Sequence, residues 1–322
     1  MNTLPYCFFP TTVISIGNTD NTYIKNIYQD SQQWISPPKA LDMLIKTQTV
    51  PLLFDRLTAQ AHDVFDLSSI NYLYEEIYNP CRDETVSCVV YQETTLTQES
   101  LSFLQKLDQL PAKKILVTQA RDEKTVVSAF NEGLINFYVC TQNPDAASLL
   151  EEFIQQSQAH YFRDGVNALV DPLLEKWQRE NNTLPTLSDP VFMEFLQNFM
   201  KRHRIIEHYL LDITGSFLLL DHQGQTSALF VFNEQSFAEQ GQAVDRFLQS
   251  NHSLSARIVE DLKNRCQTIC FPFIYPQEVV HFDPYIEPVQ ILDGQQRYYI
   301  AYSKSVDYLG SFLNTREERK NS

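Results

Sequence analysis

KKILVTQARDEKTVVSAFNEGLINFYVCTQNPD, residues 113–145, is the stretch on which the reading of the fold turns. Ile115, Leu116 and Val117 form a short apolar run that closes on Thr118, as in a strand buried on both faces. Residues 123–131 follow with a helical pattern, Gly133 supplies a turn, and 135–140 return to an apolar, aromatic strand. A second helix opens near Pro144 and carries Leu149, Leu150, Phe153 and Ile154. Strand and helix alternating at this spacing specify a mostly parallel sheet wrapped by helices.

The alternation extends upstream. Residues 86–91 (VSCVVY) read as a strand, and 98–107 as a helix with Leu101, Phe103, Leu104 and Leu107 inward. Residues 12–16 form a short β-rich run before a helix whose Tyr23, Ile24, Ile27 and Tyr28 share a face. A brief strand lies near Trp34 and Ile35, and Pro37 and Pro38 open a helix through Ala40, Leu41 and Leu44. Residues 47–85, with helical patterns at 52–65 and 70–77, exceed any ordinary connection and constitute an insertion. The expected first domain is an α/β, flavodoxin-like (βα)5 unit over residues 10–160 carrying that helical insertion.

Downstream the character changes. Residues 161–204 read as a helical linker with two apolar stripes. Leu169, Leu173, Leu174 and Trp177 make the first; Phe192, Phe195, Leu196 and Phe199 make the second. ENNTLPTLSDP, residues 180–190, separates them and ends in an Asp-Pro helix start. Beyond it, 206–211 and 216–220 flank a turn at 212–215, and 227–232 follows a turn at 222–225, an antiparallel meander. Helices at 234–248 and 254–264 precede strands at 268–273, 289–292 and 297–303. This is an α+β domain with an antiparallel sheet, residues 205–322. Gly215, Gly224 and Gly294 sit in its turns, and neither GxGxxG nor a P-loop occurs.

Composition bounds the function. The 322 residues suffice for two cores, with 43% hydrophobic and 12% aromatic content. No apolar run reaches the roughly 18–20 residues of a membrane helix, and the start, MNTLPYCFFP, lacks a basic leader, so a cytoplasmic protein is expected. The net charge of −15 disfavours DNA, whose phosphates call for a basic face. The Lys201–Arg202–His203–Arg204 cluster reads as complementing a helix C-terminus. Six scattered cysteines lack metal-ligand or disulfide spacing: Cys88 and Cys140 fall in strands, and a helix-to-strand switch separates Cys266 from Cys270. Neither metal nor cofactor is expected.

With Thr118, Gly133 and Tyr138 in place, residues 10–160 resemble the receiver domain of bacterial response regulators. The resemblance implies a switch hydroxyl at Thr118, a turn glycine at Gly133 and the fifth-strand aromatic at Tyr138. Receiver chemistry needs an acidic pair for Mg²⁺, an aspartate nucleophile and a lysine. Here the acidic pair falls on Gly17 and Asn18, the nucleophile on Tyr91 and the lysine on Thr141. Thr118 alone of the set is retained. Asp20 and Glu93 are nearby carboxylates; Glu93 reads as a solvated loop glutamate or as a built-in phosphate mimic. The implied protein is a pseudo-receiver: a non-enzymatic, two-component-type regulator with no catalytic residue, acting on protein partners. The face of the fourth helix, fifth strand and fifth helix is its docking surface, and a homodimer through that face or the linker helices is the other expectation.

EHYLLDITGSFLLLDHQG (207–224) and GQQRYYIAYS (294–303) are similar to the output region behind receivers that carry such an insertion, which implies signalling and no particular reaction. The alternative is a small-ligand sensor or enzyme with its site in residues 206–303. His203 and His208, the His281–Asp283 pair, and an exposed aromatic among Tyr298, Tyr299 and Tyr302 are its candidates. Asp212 and Asp221 read as turn formers.

Overall fold

A computed structural model describes residues 4–17, 34–35, 85–108, 110–119, 123–181, 185–212, 214–250, 254–270 and 285–304. The chain forms two compact units that divide between Val170 and Asp171.

In the first unit, β1 (Thr12–Gly17), β2 (Trp34–Ile35), β3 (Val86–Glu93), β4 (Lys113–Thr118) and β5 (Phe137–Cys140) form a parallel sheet in the order β2-β1-β3-β4-β5. This is the flavodoxin-like order, with its topological switch point between β1 and β3. Successive side chains alternate between faces. Ile14, Ile16, Val89, Tyr91 and Leu116 meet α1 (Gln98–Leu107) through Leu104 and Leu107, and α2 (Glu123–Asn131) through Val126 and Ala129. Val13, Cys88, Val90, Ile115, Val117 and Val139 meet α3 (Ala146–Phe162) through Ala146, Leu150 and Ile154. Burial between strand and helix pushes the Cys88 thiol up to about 12, with Ser157 acting in the opposite direction.

Local chemistry sets the bounds. Thr97 caps α1 in a reciprocal box with Ser100. At the far end of α2, Gly133 has φ +73°, its amide donates to Phe130, and Leu134 donates to Ala129. Leu134 is taken up in closing that helix and Ile135 packs into the core on the same side of the sheet, so β5 starts at Phe137 and not at residue 135. The predicted helices at 23–28 and 37–44, and the insertion at 47–85 up to residue 84, lie outside the described residues.

α3 continues through a π-helical turn, Arg163–Asn167, into α4 (Ala168–Asn181), within which the two units divide. In the second unit α5 (Pro190–His203) leads into β6 (Ile205–Leu210), β7 (Phe217–Asp221) and β8 (Thr226–Phe232). Then come α6 (Glu234–Ser250), α7 (Ala256–Lys263), β9 (Gln267–Ile269), β10 (Ile286–Asp293) and β11 (Arg297–Ser303). These strands pair antiparallel in the order β6-β7-β8-β11-β10-β9. Tyr298 and Tyr302 of β11 meet α5 through Phe192 and Phe199, whereas Tyr299 stacks on Phe237 of α6. Helices therefore cover both faces at β11, and Tyr299 does not lie on an open outer face. Double coverage also explains the unbroken apolar runs 217–220 and 228–232, which one-sided burial would have alternated with polar residues.

Candidate functional site

The C-terminal edge of the parallel sheet is where a ligand meets a fold of this order. Strand register places Gly17 beside Gln92, and Glu93 beside Thr118, with Tyr91 one step further in, between Ile16 and Leu116. Of the predicted set, Gly17, Tyr91, Thr118 and Thr141 are brought to this edge; Asn18 and Asp20 lie outside the described residues.

Gly17 has φ +148°, and a Cβ built on it would overlap the Gln92 carbonyl oxygen and come within 2.8 Å of the Gln92 Cβ. With this backbone the position accepts no side chain, and so no metal-binding carboxylate. Tyr91 is 3% exposed, its ring 5.3 Å from that of Phe103. Its hydroxyl donates to Glu93 Oε2 at 2.8 Å, and Ser100 Oγ donates to the same oxygen at 3.3 Å. Burial pushes the Tyr91 phenol up to about 12, and Glu93 adds to the rise while Ser100 opposes it. Tyr91 thus belongs to the core with its hydroxyl engaged, and the carboxylate at this edge is that of Glu93.

Thr118 is buried, its hydroxyl 3.3 Å from the Tyr138 hydroxyl. Thr141 turns back on the strand, donating to the Thr118 carbonyl through its amide at 2.9 Å and its hydroxyl at 3.3 Å. It offers no cation to a developing negative charge. Sequence reading placed Phe103 inward on its helix but missed Ser100 and the buried Gln92, whose amide oxygen and nitrogen both lack a hydrogen-bond partner. The Thr97-x-x-Ser100 cap was the available signal for Ser100. Among the described residues no group of three His, Cys, Asp or Glu side chains is placed to hold a metal.

Among the described residues the second unit brings two of the predicted candidates together, the His203 and Tyr302 rings lying 4.7 Å apart, and does not gather the others into the same place. His203 ends α5, while His208 is buried on β6 with its ring 6.0 Å from Phe217. Asp212 accepts from Thr214 and the Ser216 amide, and Asp221 from the Gln223 and Gln225 amides, so both are turn formers. The Gln225 bond leads the causes that hold the Asp221 carboxyl below its ordinary value. Tyr298 is buried and donates to Asp189 at 2.8 Å; Tyr302 is half-exposed. His281 and Asp283 lie outside the described residues.

In structure the chain is response-regulator-like, a flavodoxin-like parallel sheet followed by an α+β unit with an antiparallel sheet. The chain is similar over 97% of its length to the Legionella pneumophila response regulator LqsR, at 25% identity and a TM-score of 0.67, and covers 96% of that chain. The sequence matches no protein-family model and no curated relative. Among the described residues no helix is long and apolar enough to cross a membrane.

Proposed function

We propose that this chain is a cytoplasmic, non-enzymatic signalling protein of two-component type, whose receiver-like unit works without aspartyl phosphorylation and through protein recognition. The observation that carries the reading is Tyr91, a buried phenol tied to Glu93 at the position where a receiver presents its nucleophile. Gly17 supports it, because its backbone leaves no room for the metal-binding acid, and Thr141 replaces the lysine. Without a phosphoryl group to shift conformational populations, control falls to partner binding or concentration. The recognition surface is the α2 face: Val127 and Phe130, one helical turn apart, are 56% and 45% exposed while their neighbours Val126 and Ala129 face the core.

Incubation with acetyl phosphate and Mg²⁺, followed by intact-mass measurement, tests the chemistry. No mass gain is expected. A stoichiometric adduct that survives acid and is lost in base would overturn the proposal. The half-exposed aromatic cluster at the end of α5 favours a second, compatible reading, a small-ligand site in the second unit.

A further inference from the structure

We propose that the C-terminal end of α5 and the adjoining end of β11 form a nucleotide-binding ledge, with aromatic rings for the base and a cationic rim for the phosphates. Phe195, Phe199 and His203 recur every four residues along one face of α5. Their ring centroids lie 5.9 Å apart for Phe195–Phe199 and 4.2 Å apart, stacked, for Phe199–His203. Tyr302 joins them from β11, at 4.8 Å from Phe199 and 4.7 Å from His203. All four rings are half-exposed, whereas Phe192, earlier on the same helix, is buried against Tyr298. The aromatic row therefore leaves the core and reaches the surface at its C-terminal end.

Cations surround that end. Lys201, Arg202, Arg204 and Lys304 are all exposed. The ion pairs of the described residues involve none of them. Arg202 and Lys304 lie close enough to His203 to add to the burial that holds its imidazole below the ordinary range. Lys304 is also felt by Glu287, where it opposes the rise that burial imposes on that carboxyl. The helix dipole accounts for cations in the last turn of α5. It does not account for Lys304, which arrives on another element, nor for four rings left half-exposed beside it. Stacking surface next to fixed positive charge suits a ligand with a π-face and phosphates. A long polyanion is disfavoured by the net charge of −15, which repels it beyond the ledge, while a single nucleotide meets mainly the local rim.

Full-length protein is titrated calorimetrically with ATP in the absence of divalent metal, and with adenosine and tripolyphosphate as separate arms. ATP is expected to saturate, with each part alone at least about tenfold weaker. Arg202→Gln and Lys304→Gln, both at exposed positions, are each expected to weaken ATP about fivefold. Phe199→Leu, checked for an unchanged melting curve, should weaken it further. Failure of ATP to saturate, tripolyphosphate binding as tightly as ATP, or unaltered affinity in the Arg202→Gln/Lys304→Gln double variant would each overturn the ledge. Tighter binding of a short oligonucleotide than of ATP would reassign it to nucleic acid. None of these outcomes bears on the phosphorylation test, which reads the first unit.

Discussion

The Tyr91 hydroxyl ties the end of β3 to Glu93, and Tyr91→Phe removes that donor while keeping the ring against Phe103. We expect a loss of about 1–2 kcal/mol at pH 7, read from the urea midpoint, because a hydrogen bond to a charged acceptor in a buried setting is lost. The pH dependence has a definite sign. A phenol raised in the folded protein to about 12 contributes stability that is complete below its unfolded value near 10, and lost as pH rises through 12. Tyr91→Phe should therefore lack the part of the alkaline destabilisation that wild type shows across that window. An identical pH profile in the two proteins would remove Tyr91 as its source. The pairing with Glu93 was open to sequence reasoning, since residues two apart on a strand share a face. The bond from Ser100 was not, because it depends on how the loop after β3 folds back.

Among the elements, α1 and α2 were legible to the residue because their ends are written in local chemistry: Thr97 with Ser100, and Gly133. Asp189 illustrates the limit. Its place ahead of Pro190 identified it as a helix start, and its side chain does accept from the Val191 amide at 2.9 Å. The same buried carboxylate also accepts from the Gln295 amide at 2.6 Å and the Tyr298 hydroxyl at 2.8 Å, more than a hundred residues away in sequence. A Cβ at Gly294 would collide with it. Nothing local announces such a partner. Asp189 thus fastens the start of α5 to the β10–β11 hairpin, and burial together with Asp189 drives the Tyr298 phenol upward. Asp189→Ala should cost the second unit about 2–4 kcal/mol by urea denaturation, since three donors lose their acceptor. A cost below about 1 kcal/mol would mean that water replaces the carboxylate.

For the whole molecule, charge and the α2 surface act against each other. Forty acidic against 25 basic residues repel a second copy, while Val127 and Phe130 offer apolar area to it. If copies meet through this face, sedimentation velocity should show association growing between 0.05 and 0.5 M salt, concentrations at which screening shortens from about 14 to about 4 Å. Val127→Ser/Phe130→Ser should abolish the effect. A monomer at every salt concentration would assign the face to a different partner. The change from strand–helix alternation to hairpin turns, near residue 205, was readable in the sequence; the division of the units earlier, between Val170 and Asp171, was not. Coverage of both sheet faces at β11 was not, because apolar runs there fit more than one arrangement.

Gly17 also determines how the protein could regain what receivers do. Installing aspartate at position 91 alone would place a nucleophile beside a strand end that admits no side chain for the metal. The order of changes is therefore constrained: the backbone at Gly17, the last residue of β1, has to change before an acid can stand there, and aspartate at position 91 alone is a step without benefit. For a designer seeking a phosphorylatable version, the route begins with the backbone at the end of β1 and not with a point substitution at position 91.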